Sequence, residues 1–578
     1  MRKFPLSILV FVLALIYYCL QACPTYYFWD SAELTAAVLG GGVPHPPGFP
    51  FFLTITKIWS WVMAAAGWLN IFAAFFGALG LGLWFAVLRR LLIKIDLVRD
   101  SSIASSISFF FTAILGLSFT YSIQSTRFEV YSLNFFGFAL LLFLSLKTSR
   151  SYTRPVSWGL TFFIMTGLFL GVHNLTIALA LPGLLMIMLH KHNPRPAYIW
   201  LGILISGGIC AALYITIMHR AASNNPLNWG IPSNPKSLMN YILLKGFQTS
   251  TSRMTADHFV QQGRFLYEVY NRQFGFLGLL LIVPGIYYSI RHYRWPALPL
   301  FIIFVLNLLS VSLAENYFYA NYDLHGYLML SLAISTYFLG VTFLLLFRLL
   351  ESRLSSTKTF LKYRWAYALT IFVIIIAFFI PTYDNFYAAD LARINNAEKY
   401  SREFLQKAPP RSLVVTTSYN TYFCLLALQA KDLTMRNVTV INLYNLDHDW
   451  GRLQCDRLTG LKASNFVDRQ SYYQNLLNVT SRIRPIYIEY DRSNSPIAPY
   501  LHPQGMGYLF APKDPITAPQ NDSGYIADAF STPEIECYRT WILWFQNRAE
   551  YYARIKEDTL AVKCLGIVDS LAIKAAEL

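Results

Sequence analysis

Long apolar runs separated by short loops dominate the chain up to about residue 382. A helix needs about 17 to 25 consecutive apolar residues to cross a bilayer. Loop charge then decides which runs cross, because basic residues collect in the short cytoplasmic loops. Together these criteria predict eleven membrane-spanning helices, at residues 4–22, 69–88, 103–121, 131–147, 156–172, 174–190, 197–218, 274–291, 296–314, 326–349 and 364–381.

The apolar stretch 51–66 has two interpretations. If it crosses the membrane, the four basic residues between 89 and 99 fall outside; if it lies as a helix on the outer surface, they fall inside. The positive-inside rule favours the surface helix. The N-terminus is then cytoplasmic, and the residues from 383 onward lie outside.

The first apolar run could also be an export signal. Arg2 and Lys3 precede it, and Leu20-Gln21-Ala22-Cys23 follows it in the manner of a lipoprotein cleavage site. Its length and the unusual Gln21 favour a membrane span.

After Tyr383 the pattern changes to short apolar strands alternating with helix-like segments. The predicted strands are 412–417, 437–443 and 485–490, and the predicted helices are 398–406, 422–430 and the stretch from Tyr538 onward. This alternation predicts a small α/β domain that ends in helices.

Composition agrees with a polytopic membrane protein, since 55% of the 578 residues are hydrophobic and only 13% are charged. The net charge of +16 does not indicate a nucleic-acid partner, because the basic residues lie in short loops between apolar runs. Seven scattered cysteines show no metal-binding spacing and argue against a disulfide framework, although one bridge in the exported part is possible.

The predicted topology brings polar residues from distant positions to the outer face of the membrane. Acids that accept a proton and cations that bind an anionic leaving group suit transfer from a phosphate-linked donor to a hydroxyl. The group consists of Asp30, Glu33, His45, Arg127, Glu129, His173, Asn174, Lys245, Arg253 and Asp323.

Each of these residues also has a structural explanation. Asp30 and Glu33 have the spacing of a capping box, with Asp30 as the N-cap. His45 among prolines is also consistent with a turn residue, and Arg127 and Glu129 are consistent with an ion pair of their own. The tyrosines near Asp323 fit an interfacial aromatic belt. His173 and Asn174 are also consistent with a simple break between two spans.

Two motifs in the first outer loop resemble the signature of a known membrane family. They are Trp29-Asp30-Ser31-Ala32-Glu33-Leu34 and Val43-Pro44-His45-Pro46-Pro47-Gly48-Phe49-Pro50. Other stretches that fit are Glu129-Val130-Tyr131-Ser132-Leu133-Asn134, Gly171-Val172-His173-Asn174, Pro226-Leu227-Asn228-Trp229-Gly230, residues 412–417 and residues 436–440. The family includes the eukaryotic transmembrane protein O-mannosyltransferase of plexin-type receptor domains, and the resemblance covers roughly residues 25–450.

The resemblance implies a glycosyltransferase of the GT-C type, which takes its sugar from a polyprenyl phosphate. It implies that Asp30 is the general base and that Glu33 supports it or orients the sugar. His45 would shape the donor pocket, and Arg127, Lys245 or Arg253 would meet the lipid phosphate. Trp29, Glu129, His173, Asn174 and Trp229 are further candidate substrate-binding residues, and no metal ligand is assigned, although a divalent metal is not excluded.

These observations predict a GT-C bundle of about eleven transmembrane helices over residues 1–382, with outer loops at 23–68 and 219–273, followed by an extracytoplasmic domain over 383–578. The expected location is a bacterial inner membrane or its equivalent, among membrane lipids. The expected partners are a lipid-linked sugar donor and a Ser or Thr acceptor in an exported protein, with an envelope lipid or glycan as the alternative acceptor. A transporter is the alternative of another class, although its charges would lie near the midplane of the membrane.

Overall fold

The computed structural model describes residues 6–62, 67–95, 97, 100–149, 155–190, 196–245, 256–311, 322–354, 376–461, 468–513 and 522–577. Up to residue 388 the described structure is helical. Its helices are α1 (Leu6–Gln21), α2 (Asp30–Gly40), α3 (Pro50–Val62), α4 (Gly67–Ile93), α5 (Ser101–Gly116), α6 (Phe119–Thr126), α7 (Tyr131–Thr148), α8 (Pro155–Leu170), α9 (Asn174–Leu189), α10 (Pro196–Ala221), α11 (Pro235–Ile242), α12 (Ala256–His292), α13 (Arg294–Val311), α14 (Tyr322–His325), α15 (Met329–Leu354) and α16 (376–388).

Nine of the eleven predicted spans coincide with one helix each, a tenth, 103–121, falls on two helices, and the eleventh, 364–381, lies mostly outside the described residues. Within the described residues, five helices are long and apolar enough to cross a membrane, or six if one bent pair forms a single span. The five are Gly67–Ile93, Tyr131–Thr148, Ala197–Ala221, Phe259–His292 and Tyr322–Ser352.

The bent pair is α5 and α6, which meet at 62° where a single straight helix, 103–121, was predicted. The break has a local cause, since the Ser118 hydroxyl accepts a hydrogen bond from the backbone N–H of Tyr121 and starts a new helix. All eight residues of α6 are buried, so the bend takes this helix and Arg127 after it into the protein.

The C-terminal part contains a five-stranded mixed sheet. Its strands are β1 (Leu413–Thr416), β2 (Thr439–Asn442), β3 (Ile486–Ile488), β4 (Leu501–Gln504) and β5 (Gly507–Phe510). The strand order is β2-β1-β3-β5-β4; β1 is parallel to β2 and β3, whereas β5 is antiparallel to β3 and β4. The helices around it are α17 (Asn396–Lys407), α18 (Tyr419–Lys431), α19 (Asp449–Thr459), α20 (Arg469–Thr480), α21 (Ser523–Ala529), α22 (Ile535–Arg554) and α23 (Asp558–Ala576).

The first three strands lie inside the segments predicted from the sequence, whereas β4 and β5 were not predicted. Strand β4 reads Leu-His-Pro-Gln and lacks the β-branched and aromatic residues that identify strands. The seven cysteines are all free, so the possible bridge does not form.

The sheet-containing part lies against both outer loops. Helix α18 packs along α2, and the Tyr422 hydroxyl donates to the carbonyl of Pro226 at 2.6 Å. The two loops also join each other, because the backbone of Val43 pairs with that of Asn228. Helix α2, which carries both candidate acids, is therefore enclosed by the second outer loop and the C-terminal part.

Candidate functional site

Helix α2 begins at a strained residue. Trp29, its N-cap, has φ 57° and ψ −129°, a conformation that is costly for a residue with a side chain. The C-terminal part holds it there: the Trp29 backbone N–H donates to Asn420 Oδ1 at 3.0 Å, and its indole N–H donates to Glu536 Oε2 at 2.8 Å. The backbone conformation of Trp29 therefore fixes the position of Asp30, the first residue of α2.

The capping-box explanation of Asp30 and Glu33 is wrong. Trp29 is the N-cap, Asp30 is the first helical residue, and no side chain caps this helix. Glu33 turns instead toward His45. The spacing of the two acids places them on one face of the first turn, but neither of them caps the helix.

A tight turn brings His45 back to α2. The backbone N–H of Gly48 donates to the carbonyl of His45 at 3.0 Å, and Gly48 has φ 87°. A Cβ atom at Gly48 would lie 2.7 Å from the hydroxyl oxygen of Tyr241, which donates to the carbonyl of Pro44 at 2.5 Å. Glycine is required here both for the left-handed backbone and for this close approach.

Glu33 and His45 form a buried contact. The backbone N–H of His45 donates to Glu33 Oε1 at 2.9 Å, and its ring Nδ1 contacts Glu33 Oε2. Burial lowers the pKa of His45, but the charges of Glu33 and Asp30 outweigh it and raise that pKa to about 10. His45 is therefore an imidazolium cation at neutral pH, and Glu33, with a fully buried side chain, is its counterion.

Asp30 is the accessible acid of the pair. Its side chain is 27% exposed, against 0% for Glu33, and its Oδ2 lies 3.9 Å from His45 Nε2. Burial and the charge of Asp323 raise the pKa of Asp30 to about 7, although His45 opposes the rise. A carboxyl group with this pKa, open to solvent on one side, can take up a proton near neutral pH.

A second charged group lies beside the first. Arg127 is 1% exposed, and its guanidinium binds Asp323 at 2.6 Å and lies 3.8 Å from Glu129. Burial raises the pKa of Glu129, against the opposing charge of Arg127. Arg127 is thus largely engaged with Asp323, which was not a predicted partner.

Asp30 belongs to two groups of residues that could hold a metal ion. One is Asp30, Glu33 and His45, and the other is Asp30, Glu129 and Asp323; in each group the potential ligand atoms lie within 4.8 Å of one another. In the first group Glu33 already contacts His45, and in the second group Asp323 already binds Arg127 at 2.6 Å.

His173 closes the inner side of the site as a neutral ring. Its ring centroid lies 5.4 Å from that of Tyr131 and 4.8 Å from that of Tyr327. Burial and the positive charge of His45 lower the pKa of His173 to about 3. The ring Nδ1 accepts from the backbone N–H of Thr176 as the N-cap of α9, and Asn174 is the first residue of that helix.

The other predicted residues lie away from this cluster. Trp229 stacks on Tyr419 at 5.4 Å and faces the C-terminal part, and Lys245 is exposed just after α11. Arg253 lies outside the described residues. Asn420 and Glu536, which bind Trp29, were not predicted. They lie 391 and 507 residues after Trp29, and nothing in the sequence links positions so far apart.

Residues 30–196 match the model of a family described as the protein O-mannosyl-transferase TMEM260 N-terminal domain. This match confirms the resemblance for that part of the chain, which contains Asp30, Glu33, His45, Arg127 and His173. No match was found among curated protein sequences.

Solved structures resemble the chain over nearly its whole length. ArnT from Cupriavidus metallidurans bound to undecaprenyl phosphate has a TM-score of 0.55 at 14% identity, over 89% of this chain and 99% of that one. The same protein in the apo state gives 0.52 at 12% identity, over 87% and 97%. An Archaeoglobus fulgidus oligosaccharyltransferase in complex with Zn and sulfate gives 0.49 at 13%, over 83% and 68%. The likeness to ArnT shows that the chain shares the fold of that protein, in agreement with the GT-C fold expected from the resemblance.

Proposed function

We propose that this chain moves a sugar from a polyprenyl-phosphate donor to a hydroxyl group, with inversion and with Asp30 as the general base. The acceptor is a Ser or Thr side chain of an exported protein. The observation that carries the proposal is the partly exposed carboxyl group of Asp30, which lies beside the imidazolium of His45 and has a pKa of about 7. A base with a pKa near the working pH contributes about 10²- to 10⁴-fold to the rate.

The reaction is a single displacement. The acceptor oxygen attacks the anomeric carbon while Asp30 takes its proton, and the bond from that carbon to the phosphate oxygen breaks. The lipid phosphate leaves with the electron pair, and Asp30 later returns the proton to solvent. Attack on the face opposite the phosphate inverts the configuration at the anomeric carbon.

The candidates for positive charge at the departing phosphate are His45 and cations of the second outer loop. His45 is cationic, and Lys245 lies four residues after Tyr241, which binds the carbonyl of Pro44 in the same turn. Arg253 belongs to the same outer loop and is a further candidate. Arg127 acts indirectly, because its charge balances Asp323 and Glu129 behind Asp30.

The proposal assigns catalysis to residues 1–382 and an accessory role to the outer domain, 383–578. The contacts of Trp29 with Asn420 and Glu536 support this division, because the C-terminal part then holds the residue that precedes the base. The N-terminus is cytoplasmic and the C-terminal part is extracytoplasmic in this assignment.

The test is to incubate the purified chain with a panel of polyprenyl-phosphate sugars and to follow release of the lipid phosphate. Each donor is offered with a Ser/Thr-rich peptide and, separately, with an envelope glycan. We expect release with at least one donor when the peptide is present. Release only with the glycan would show that the acceptor is a glycan and not a Ser or Thr side chain. No release with any combination of donor and acceptor would overturn the proposal.

A further inference from the structure

Trp29 and residues of the C-terminal part line a cavity. Its volume is about 130 Å³, similar to that of an engineered cavity of about 150 Å³ that binds benzene. The residues that line it include Trp29, Glu489, Tyr490, Tyr508, Trp544 and Arg548, which are aromatic or charged. None of the five from the C-terminal part has a role in the proposed reaction.

The cavity lies at the carboxyl ends of β1 and β3. Ser418 follows β1, Glu489 and Tyr490 follow β3, and all three line it. The chain passes from β1 to β2 on one side of the sheet and then to β3 on the other side of β1. Open α/β sheets bind ligands in the crevice where the strand order reverses in this way.

Two buried polar atoms at the cavity have no partner among the described residues: the hydroxyl of Tyr490 and Nη1 of Arg548. Arg548 is held rigidly, because its Nε and Nη2 bind the two carboxylate oxygens of Asp522 at 3.0 and 2.8 Å. Buried polar groups are almost always hydrogen-bonded, so these two atoms, on residues that line the cavity, are candidates to bind a polar ligand or water there.

Glu489 is a third fixed polar group. Its carboxylate accepts hydrogen bonds from the backbone N–H groups of Thr417 at 2.7 Å and Ser418 at 3.0 Å, and from the hydroxyl of Thr421 at 2.6 Å. These bonds fix its orientation and leave acceptor capacity on its oxygens.

The remaining walls are aromatic. Trp29 is 41% exposed, whereas Trp544 and Tyr508 are buried. Flat apolar faces combined with a few fixed donors and acceptors suit a ligand that has an apolar ring face and hydroxyl groups at its edge. A pyranose ring has both features.

We propose that this cavity binds a pyranose ring on the acceptor side of the reaction. The acceptor assignment rests on the proposed function, because Trp29 directly precedes the proposed base and consecutive Cα atoms lie about 3.8 Å apart. The ring belongs either to a sugar already attached to an exported protein or to an envelope glycan. The chain then prefers acceptors that already carry a sugar.

Binding can be measured without any transfer reaction. Trp29 and Trp544 line the cavity, so the intrinsic fluorescence of the full chain should report its occupancy. The probes are methyl glycosides of mannose, glucose, galactose and N-acetylglucosamine, with sorbitol as an open-chain control. We expect a saturable change with at least one glycoside and none with sorbitol, and about tenfold weaker binding by Tyr490→Phe.

Tyr473→Phe is the matched control, because its buried hydroxyl donates to Asn494 at 3.0 Å outside the cavity. It should lower the thermal midpoint and leave binding unchanged. Tyr490→Phe should keep its midpoint, because the hydroxyl it removes has no protein partner. The proposal is overturned if no glycoside binds or if Tyr490→Phe binds like the unchanged chain, which would leave only water in the cavity.

Transfer assays separate the two sources of the ring. A Ser/Thr peptide carrying one hexose, the bare peptide and a free envelope glycan are compared as acceptors, and the favoured sugar-bearing acceptor should have about tenfold lower KM than the bare peptide. Tyr490→Phe should abolish this difference. Glycoside binding without any transfer would support the sugar-binding cavity and refute the proposed function. Transfer without glycoside binding would support the proposed function and refute the sugar-binding cavity.

Discussion

Glu33 contacts His45 at two points, accepting a hydrogen bond from its backbone N–H at 2.9 Å and contacting Nδ1 of its ring. This contact uses both oxygens of a fully buried carboxylate. Glu33 therefore cannot reach an acceptor hydroxyl, while Asp30, one turn earlier, remains partly exposed. Two acids that look equivalent in the sequence have separate tasks: Glu33 keeps His45 charged, and Asp30 is free to exchange a proton.

Asp30→Asn should lower the rate of sugar transfer by about 10²- to 10⁴-fold, because an amide cannot accept the acceptor proton. The variant should still insert and fold, since no hydrogen bond from Asp30 caps α2. Lipid-phosphate release and the thermal midpoint are the two measurements.

Asp100→Asn is the matched control for Asp30→Asn. Asp100 is an exposed aspartate that caps α5 by accepting from the backbone N–H of Ser102 at 2.7 Å. Because Asn caps a helix as well as Asp does, the change should leave both the thermal midpoint and transfer intact. Transfer by Asp30→Asn at the rate of the unchanged chain would remove Asp30 from the mechanism.

Arg127→Met should destabilise the fold by about 3 to 5 kcal/mol, because it leaves Glu129 and Asp323 as buried acids without their cation. Arg402→Met is the control. Arg402 also binds two acids, Glu398 and Asp432, but its side chain is 36% exposed. Exposed ion pairs contribute about 0 to 1 kcal/mol. Equal losses of stability, measured by denaturation in detergent, would show that the Arg127 cluster is not a buried charge network.

The predicted orientation can be tested with cysteine labelling of intact cells. Ser570→Cys lies on an exposed position of α23 and should react with a membrane-impermeant maleimide. Ser352→Cys, exposed at the predicted inner end of α15, should react only after permeabilisation. The native cysteines are buried or half-buried, which keeps the background low. Labelling of Ser570→Cys only in permeabilised cells would reverse the topology.

The sequence predicted the charged cluster where local chemistry determines it. Asp30, Glu33 and His45 lie within 16 residues, and a turn containing prolines and Gly48 returns the chain to α2. Apolar length likewise predicted nine helices as single elements, because long apolar runs leave a strong compositional signal.

Contacts between distant segments left no such signal. The indole of Trp29 binds Glu536, which lies 507 residues away in the sequence. The capping-box prediction failed for the same reason, since the strained backbone of Trp29 depends on Asn420. Arg127 was expected at the lipid phosphate, and its pairing with Asp323 depends on a bend that apolar pattern alone does not reveal.

Transfer by the unchanged chain should depend on pH through Asp30. Burial raises the pKa of this carboxyl to about 7, and the base must be ionised to accept a proton. The value of kcat/KM should therefore rise about tenfold per pH unit below 7 and level off above it. His45, with a pKa of about 10, stays protonated over this range and does not distort the profile. A flat profile between pH 5.5 and 8 would contradict the assignment.

Glu33→Gln should change the shape of this profile. Without the carboxylate charge, the pKa of His45 falls from about 10 toward its ordinary value of about 6.5, so the ring is largely neutral at pH 8. Transfer requires Asp30 to be ionised and His45 to be protonated. The pH profile of kcat/KM in this variant should therefore be bell-shaped near neutral pH instead of reaching a plateau, and kcat/KM at pH 8 should drop about tenfold or more. Glu398→Gln, which removes a carboxylate that binds Lys431 outside the site, should keep the plateau. A plateau in Glu33→Gln would show that the charge of His45 is not needed for transfer.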